Sequence, residues 1–246
     1  MTITKFNPMQ TQSVIPFPKA EQAPRVLNCL ELFAGIRSFG KVAQQFGHRV
    51  FSSDFNPLLE DIDYYVDIMQ FDPAQVPFVP DFVWASPNCA TYSIAACTRH
   101  REKSNRYQPK TPAALDGDRQ IKKTLELLDY FLQQNPQMIF FIENPVGYLQ
   151  FMSFMQTGWA AQYKCLENAR LITIDQCQYG REFQKPTHLW TNSRDFIPRA
   201  RCTHKGKEGC HILNGFNNTS SGVTSGSYYK RAMLPAEIFH DIFNQI

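Results

Sequence analysis

What this 246-residue chain lacks already narrows its class. No apolar run approaches the ~20 residues that a membrane-spanning helix needs, which excludes an integral membrane protein. The first residues, MTITKFNPMQ, do not set a basic stretch ahead of an apolar one, so the reading is a cytoplasmic chain rather than a secreted one. There is no internal repeat and no large imbalance of charge. The 25 Lys and Arg against 22 Asp and Glu leave a net +3, which permits a nucleic-acid partner without requiring one. Apolar residues at 43% against 19% charged residues exclude a disordered chain, and a chain this long needs no disulfide staples. The seven cysteines are an odd number in a chain with no export signal. They read as free thiols, a metal site or a catalytic residue.

What is present alternates between strand and helix. Residues 1–25 are polar and Pro-bearing, and read as an arm. The mostly apolar run from Val26 to Phe33 has the length of a buried strand, followed by the turn Ala34-Gly35-Ile36-Arg37-Ser38 and a helix from Phe39 to Phe46 stopped by Gly47. A second strand runs from Arg49 to Ser53 and ends at Asp54. Pro57 offers a further helix start, before Tyr65-Val66-Asp67-Ile68. Asp81 to Ala85 is a short apolar strand ended by Ser86-Pro87-Asn88-Cys89, and a polar stretch fills Thr91 to Asp118. Ile121, Leu125, Leu128 and Leu132 make one stripe of an amphipathic helix, and Met138 to Ile142 is a buried strand ending at Glu143-Asn144-Pro145. Later strands fit Leu171 to Ile174 and His188 to Thr191. Pro235 opens a closing helix that buries Ile238, Phe239, Ile242 and Phe243. The expectation is an α/β, Rossmann-like fold with a mostly parallel sheet and helices on both faces.

Sheets of this kind bind ligands at the carboxyl ends of their strands. Gly35, Asp54, Asp67, Cys89 and Glu143 each follow an apolar run, so they are candidates for one site. A glycine in the first strand–helix turn lets a ligand approach the backbone, but this turn lacks the full G-x-G-x-x-G pattern, so a dinucleotide is not favoured. Asp54 stands where an acid can accept from ribose hydroxyls, and Phe55 beside it can stack on a purine. Each feature taken singly has an ordinary reading as a turn glycine or a helix cap.

The segments Leu32-Phe33-Ala34-Gly35-Ile36, Asp54, Asp67-Ile68, Pro87-Asn88-Cys89 and Glu143-Asn144, in that order and spacing, resemble the cytosine-5 DNA methyltransferases. Gln178-Tyr179-Gly180, Lys185-Pro186-Thr187 and Leu189-Trp190-Thr191-Asn192 are similar to a later segment of the short phage-type members. The resemblance implies S-adenosylmethionine as cofactor, bound by Phe33, Ala34, Gly35, Ile36, Asp54, Phe55, Asp67, Ile68 and Pro87. It implies a bacterial or phage-infected cell, a monomer, no membrane, and double-stranded DNA as partner. It divides the chain into the arm, a catalytic domain over 26–192, a short basic recognition segment over 193–234, and a C-terminal helix over 235–246. Arg37-Ser38 replaces the usual Gly-Gly, and Asn88 replaces the second proline of the usual Pro-Pro-Cys.

The chemistry follows from residue types. Cys is a suitable nucleophile for carbon 6 of a pyrimidine because its thiolate is soft and accessible near neutral pH. A half-desolvated Glu143 can hold a proton and meet ring nitrogen 3. The family's Gln-x-Arg-x-Arg is here Gln184-Lys185-Pro186-Thr187-His188, which makes His188 a third catalytic candidate, or a plain strand residue. Arg99, His100, Arg101, Lys103, Arg106 and Lys110 follow the nucleophile and suit phosphate contacts in a loop that closes over a flipped base. Arg199 and Arg201, with Lys205, Lys207 and the Gly/Ser-rich run 217–227, read as a minimal recognition element. Cys202, His204, Cys210 and His211 form a candidate zinc cluster, against free thiols in a basic loop. Three other readings stay open: an RNA methyltransferase of the same chemistry, a nucleic-acid-binding homologue without turnover, and transfer of a modified group, with Arg37 pairing an extra carboxylate.

Overall fold

The computed structural model describes residues 25–94, 96–204 and 232–246. Seven strands form one sheet: β1 (Asn28–Leu32), β2 (Arg49–Asp54), β3 (Tyr64–Tyr65), β4 (Phe82–Ala85), β5 (Ile139–Pro145), β6 (Arg170–Asp175) and β7 (Pro186–Thr191). Their spatial order is β3-β2-β1-β4-β5-β7-β6. The pairings from β3 through β5 are parallel, and β7 is antiparallel to both β5 and β6. Three longer helices complete it: α1 (Ser38–Gln45), α2 (Pro112–Gln134) and α3 (Ala236–Phe243).

Both faces of the sheet are covered, which is why its central strands read as continuous apolar runs rather than alternating ones. On one face Leu30, Val83, Phe140 and Ile142 pack against Ile121, Leu125 and Leu128 of α2. On the other face Cys29, Phe82, Trp84 and Phe141 pack against Phe39 and Val42 of α1 and Ile238, Phe239 and Ile242 of α3. Phe39 lies stacked between these layers, with ring centroids 5.2 Å from Phe82 and 5.8 Å from Trp84, and Phe239 meets it edge-on at 5.6 Å. The result is the α/β, Rossmann-like arrangement of an S-adenosylmethionine-dependent methyltransferase fold. Among the described residues no helix is long and apolar enough to cross a membrane.

Three local expectations are corrected. Pro57 does not open a helix; the chain turns there instead. The carboxylate of Asp54 accepts from Asn56 N at 3.0 Å and the side chain of Asn56 accepts from Leu58 N at 3.0 Å, local bonds that compete with a helix. Second, α2 begins nine residues before the apolar stripe at Ile121. Thr111 accepts from Ala114 N and Pro112 occupies the first turn, so the helix starts inside what reads as polar loop. Third, β5 runs on through Glu143 to Pro145, because antiparallel β7 pairs Glu143 with Leu189 and Pro145 with Thr187.

The stretch after the nucleophile is also built rather than open. It carries a one-turn helix over Cys97–His100 and a two-residue antiparallel pair, Arg101–Glu102 with Gln108–Pro109. Arg101, expected on nucleic acid, is only 1% exposed and is a structural residue. Its guanidinium donates to Asp118 at 2.7 Å, to the Thr91 carbonyl at 3.0 Å and to the Thr91 hydroxyl at 3.2 Å, and it lies 4.1 Å from the Tyr92 ring. Tyr92 donates to the same Asp118 oxygen at 2.7 Å. A buried cation is tolerable only with such a full set of partners, and removing one member leaves the others unpaired. Arg101→Ala should therefore lower the unfolding free energy by about 3–5 kcal/mol in urea denaturation, and a loss under ~1 kcal/mol would refute this role.

Candidate active site

The site stands on the exits of β1, β2, β4 and β5. The β1 exit is a tight turn in which Phe33, Gly35 and Arg37 all have left-handed backbones, at φ 57°, 53° and 61°. Ala34 N donates to the Ser53 carbonyl at 3.0 Å, and Gly35 N donates to the Asp54 carboxylate at 2.9 Å. Asp54 thus orients the turn as well as standing at its rim. A Cβ at Gly35 would meet nothing within 4 Å, so this glycine leaves open space above the turn in addition to supplying the backbone angle.

Beneath the turn, Glu31 of β1 is buried and accepts from Phe39 N at 3.2 Å, placing a carboxylate at the start of α1. Burial pushes its pKa up to about 7. The side chain of Arg37 is buried too and turns back toward Glu31, with Nε 3.9 Å from the carboxylate. Arg37 does not line the cavity, so it is not placed to pair a carboxylate on a bound donor. Gly40 makes this packing possible, since a Cβ there would lie 2.5 Å from Glu31 Oε2.

On the chemical side, β4 ends in Ser86-Pro87-Asn88-Cys89. Asn144 at the end of β5 donates to the Pro87 carbonyl at 3.1 Å, tying the two exits together. The side chain of Asn88 accepts from Ala90 N at 2.9 Å, so it closes the turn with its own hydrogen bond. The Cys89 carbonyl then accepts from Tyr92 N and Ser93 N. Ser93 bridges to Gly147 beyond β5, where a Cβ would lie 2.4 Å from the Tyr92 carbonyl. Only glycine lets the two loops approach this closely.

One cavity of about 890 Å³ joins the two sides. Phe33, Ala34, Gly35, Ile36, Asp54, Phe55, Asp67, Ile68 and Pro87 all line it, and so do Cys89 and Glu143. Its size is ample for a drug-sized ligand. Phe55 is 71% exposed, leaving a free aromatic face at the rim. Cys89 is half-buried, and burial together with the Glu143 charge pushes its thiol pKa up, while Lys185 pulls it down. Glu143 is 6% exposed, and its Oε1 has no hydrogen-bond partner. Burial raises its pKa, opposed by Lys185, by a hydrogen bond with the Ser86 hydroxyl and by Arg181. Trp84 Nε1 donates to that same Ser86 oxygen at 2.8 Å.

Lys185 lines the cavity, and sequence reasoning did not single it out as a site residue. The signal was its place just ahead of β7: an antiparallel neighbour of β5 must begin where β5 ends. Glu31, Asp116 and Gln120 also line the cavity, as does the segment 232–234 that leads into α3. His188, by contrast, is not brought to the site. It is buried opposite Asn144, does not line the cavity, and lies edge-on to Trp190 at 5.5 Å. Burial first, then Arg201, lowers its pKa to about 4, so it is a neutral strand residue near pH 7.

The basic residues divide. Arg99, Lys103 and Arg106 are exposed, on the segment that follows the nucleophile. Arg199 and Arg201 are committed within the protein. Arg199 forms a two-pronged pair with Asp241 of α3 at 2.7 Å and lies over the Tyr179 ring, and Arg201 pairs with Asp175 at 2.6 Å. Cys202 Sγ lies 4.0 Å from His204 Nδ1. The other two members of that cluster, Cys210 and His211, lie outside the described residues, as do Lys205, Lys207 and the run 217–227. Among the described residues no three His, Cys, Asp or Glu side chains gather as metal ligands.

No known family model and no curated protein matches the chain. Solved structures do. A protein encoded within an E. coli prophage shares 12% identity at a TM-score of 0.45, over 72% of this chain and 52% of that one. The S. pombe Dnmt2 methyltransferase shares 16% identity at a TM-score of 0.43, over 71% and 52%. The Entamoeba histolytica methyltransferase EhMeth shares 13% identity at 0.43, over 75% and 58%. The chain therefore spans a little over half the length of the solved structures it is similar to.

Proposed function

We propose that the protein transfers a methyl group from S-adenosylmethionine to carbon 5 of cytosine in double-stranded DNA. One observation carries the reading: Cys89 and Glu143, from separate strands, line the same cavity as all nine residues expected to hold the donor. The donor side fits such a group. Gly35 leaves open space above the turn, Asp54 offers carboxylate oxygens at the rim, and Phe55 offers a free ring. When bound, the donor supplies an electrophilic methyl group on a sulfonium.

The chain's own residues do the rest. The target base leaves the duplex, because Cys89 at the bottom of a cavity cannot reach carbon 6 inside the stack. Cys89 Sγ forms a bond to carbon 6 and pushes an electron pair toward carbon 5, leaving that carbon enamine-like. Glu143, with a raised pKa and a bare Oε1, donates a proton to ring nitrogen 3 and offsets the charge building in the ring. After carbon 5 takes the methyl group, loss of its proton to a base restores the double bond and expels the thiolate. Exposed Arg99, Lys103 and Arg106, beyond the anchored root at Arg101, are the phosphate contacts. The recognition element over 193–234 is short and its two described arginines are used internally, so sequence selectivity is short or relaxed.

Two measurements test this. The exposed Phe55→Ala should weaken S-adenosylmethionine binding several-fold in calorimetry, with fold stability changed by less than ~0.5 kcal/mol; unchanged affinity removes Phe55 from the donor site. Duplex DNA carrying 5-fluorocytosine, which has no carbon 5 proton to lose, should give a donor-dependent covalent adduct stable on a denaturing gel. It should vanish in Cys89→Ala, and Glu143→Gln should slow its formation by roughly 10²–10⁴-fold. An adduct on 5-fluorocytosine RNA and none on DNA would move the substrate to RNA. No adduct on either would leave a binding protein without turnover.

A further inference from the structure

We propose that Cys89 and Glu143 share a single negative charge whose counter-ion is the Lys185 ammonium, and that the proton lost by the thiol is taken up by the Glu143 carboxylate. The proposal rests on the reading of Cys89 as nucleophile and Glu143 as the group that meets the ring nitrogen. It goes beyond that reading in saying where the thiol proton goes and which cation holds the charge.

The geometry is the first support. All three side chains line one cavity. They arrive there from three strands that are neighbours in the sheet: Cys89 from beyond β4, Glu143 within β5, and Lys185 just before β7. Lys185 is fixed by its backbone, since its carbonyl accepts from Gln176 N at 3.2 Å and from the Thr187 hydroxyl at 3.1 Å. Glu143 Oε1 is buried without a partner, so the carboxyl has a position open to a proton.

The electrostatics agree in sign. The Glu143 charge raises the thiol, whereas Lys185 lowers both the thiol and the carboxyl. Glu143 and Cys89 each favour the charged form of Lys185, against burial and against Arg181. Arg181 is the other cation acting on Glu143, and Asp116 is a carboxylate lining the same cavity. Two acids this close, with one nearby ammonium, titrate as a coupled set.

The step balances within the three groups. The Sγ–H bond of Cys89 breaks, an O–H bond forms on Glu143, and the electron pair stays on sulfur. One negative charge is present before and after, and the ammonium offsets it in both states. The products are the thiolate that attacks carbon 6 and the carboxyl that donates to nitrogen 3. One internal transfer therefore yields both reactive forms, with no charge entering the cavity.

The pH profile of Cys89 alkylation by iodoacetamide tests this on the full chain, with the Cys89 peptide quantified by mass spectrometry. Neither donor nor nucleic acid is needed, so the result can be read whatever the 5-fluorocytosine experiment gives. Lys185→Met should raise the alkylation midpoint by at least about one pH unit, or roughly tenfold slower labelling at pH 7.5. Lys185→Arg should hold the wild-type midpoint. Glu143→Gln should lower it, because a neutral amide removes the neighbouring charge. A folded Lys185→Met whose profile overlays the wild type overturns the proposal. If that variant does not fold, by circular dichroism, Glu143→Gln decides alone: an unchanged or raised midpoint overturns it. If the profiles shift as stated but no 5-fluorocytosine adduct forms, the charge sharing stands and the methyl-transfer reading falls.

Discussion

The meeting of the β4 and β5 exits is the constraint on which the site depends. The two strands pair in parallel with Ala85 opposite Ile142, so Ser86 and Glu143 leave the sheet side by side. The Asn144 amide then holds the Pro87 carbonyl, and Gly147 lets the next turn press against Tyr92. Without these contacts the nucleophile turn and the acid would sit on two independent loops, free to drift by more than catalysis tolerates. The antiparallel insertion of β7 beside β5 brings in the third group, since its start must coincide with the end of β5. Three segments about fifty residues apart in the chain thus converge through strand order.

Polar satisfaction is distributed unevenly, and the contrast is informative. Arg101 is deeply buried and every face of its guanidinium is used: Asp118, two Thr91 oxygens and the Tyr92 ring. That cluster fixes the root of the segment that carries the nucleophile onto α2. A few residues away, Glu143 is just as buried but keeps one oxygen bare. An unpaired buried polar atom costs stability, and proteins tolerate it chiefly where a ligand or a reacting group supplies the missing partner. The root is rigid so that the reactive carboxyl can stay unsatisfied.

Much of this was legible in the sequence, for a physical reason. Central strands covered on both faces appear as unbroken apolar runs, and the first polar residue after each run marks a strand exit. Gly35, Asp54, Asp67 and Cys89 were found that way, and so was Glu143, although β5 in fact continues past it. What stayed hidden depends on partners remote in sequence. Arg101 reads as a solvated loop cation, and only Asp118, seventeen residues on, makes it a core residue. The early start of α2 was concealed because a Thr-Pro cap resembles the polar stretch before it. His188 was misplaced because motif position does not settle which way a strand residue points. In β7 it sits opposite Asn144 and against Trp190, whereas Lys185, three residues earlier, reaches the cavity.

The β1 turn shows how a departure from small residues can be accommodated. A left-handed backbone at Arg37 is unfavourable for a side chain with a Cβ, and a buried guanidinium would add to that cost. Both are offset locally. The side chain folds back beneath the turn toward the buried Glu31, and the carboxylate is itself anchored by Phe39 N at the start of α1. Gly40 supplies the room that this pair requires. The charge that replaces a glycine is therefore absorbed under the turn rather than projected over it. The face toward the cavity, at Ala34 and Gly35, stays as open as it would be with two glycines after it.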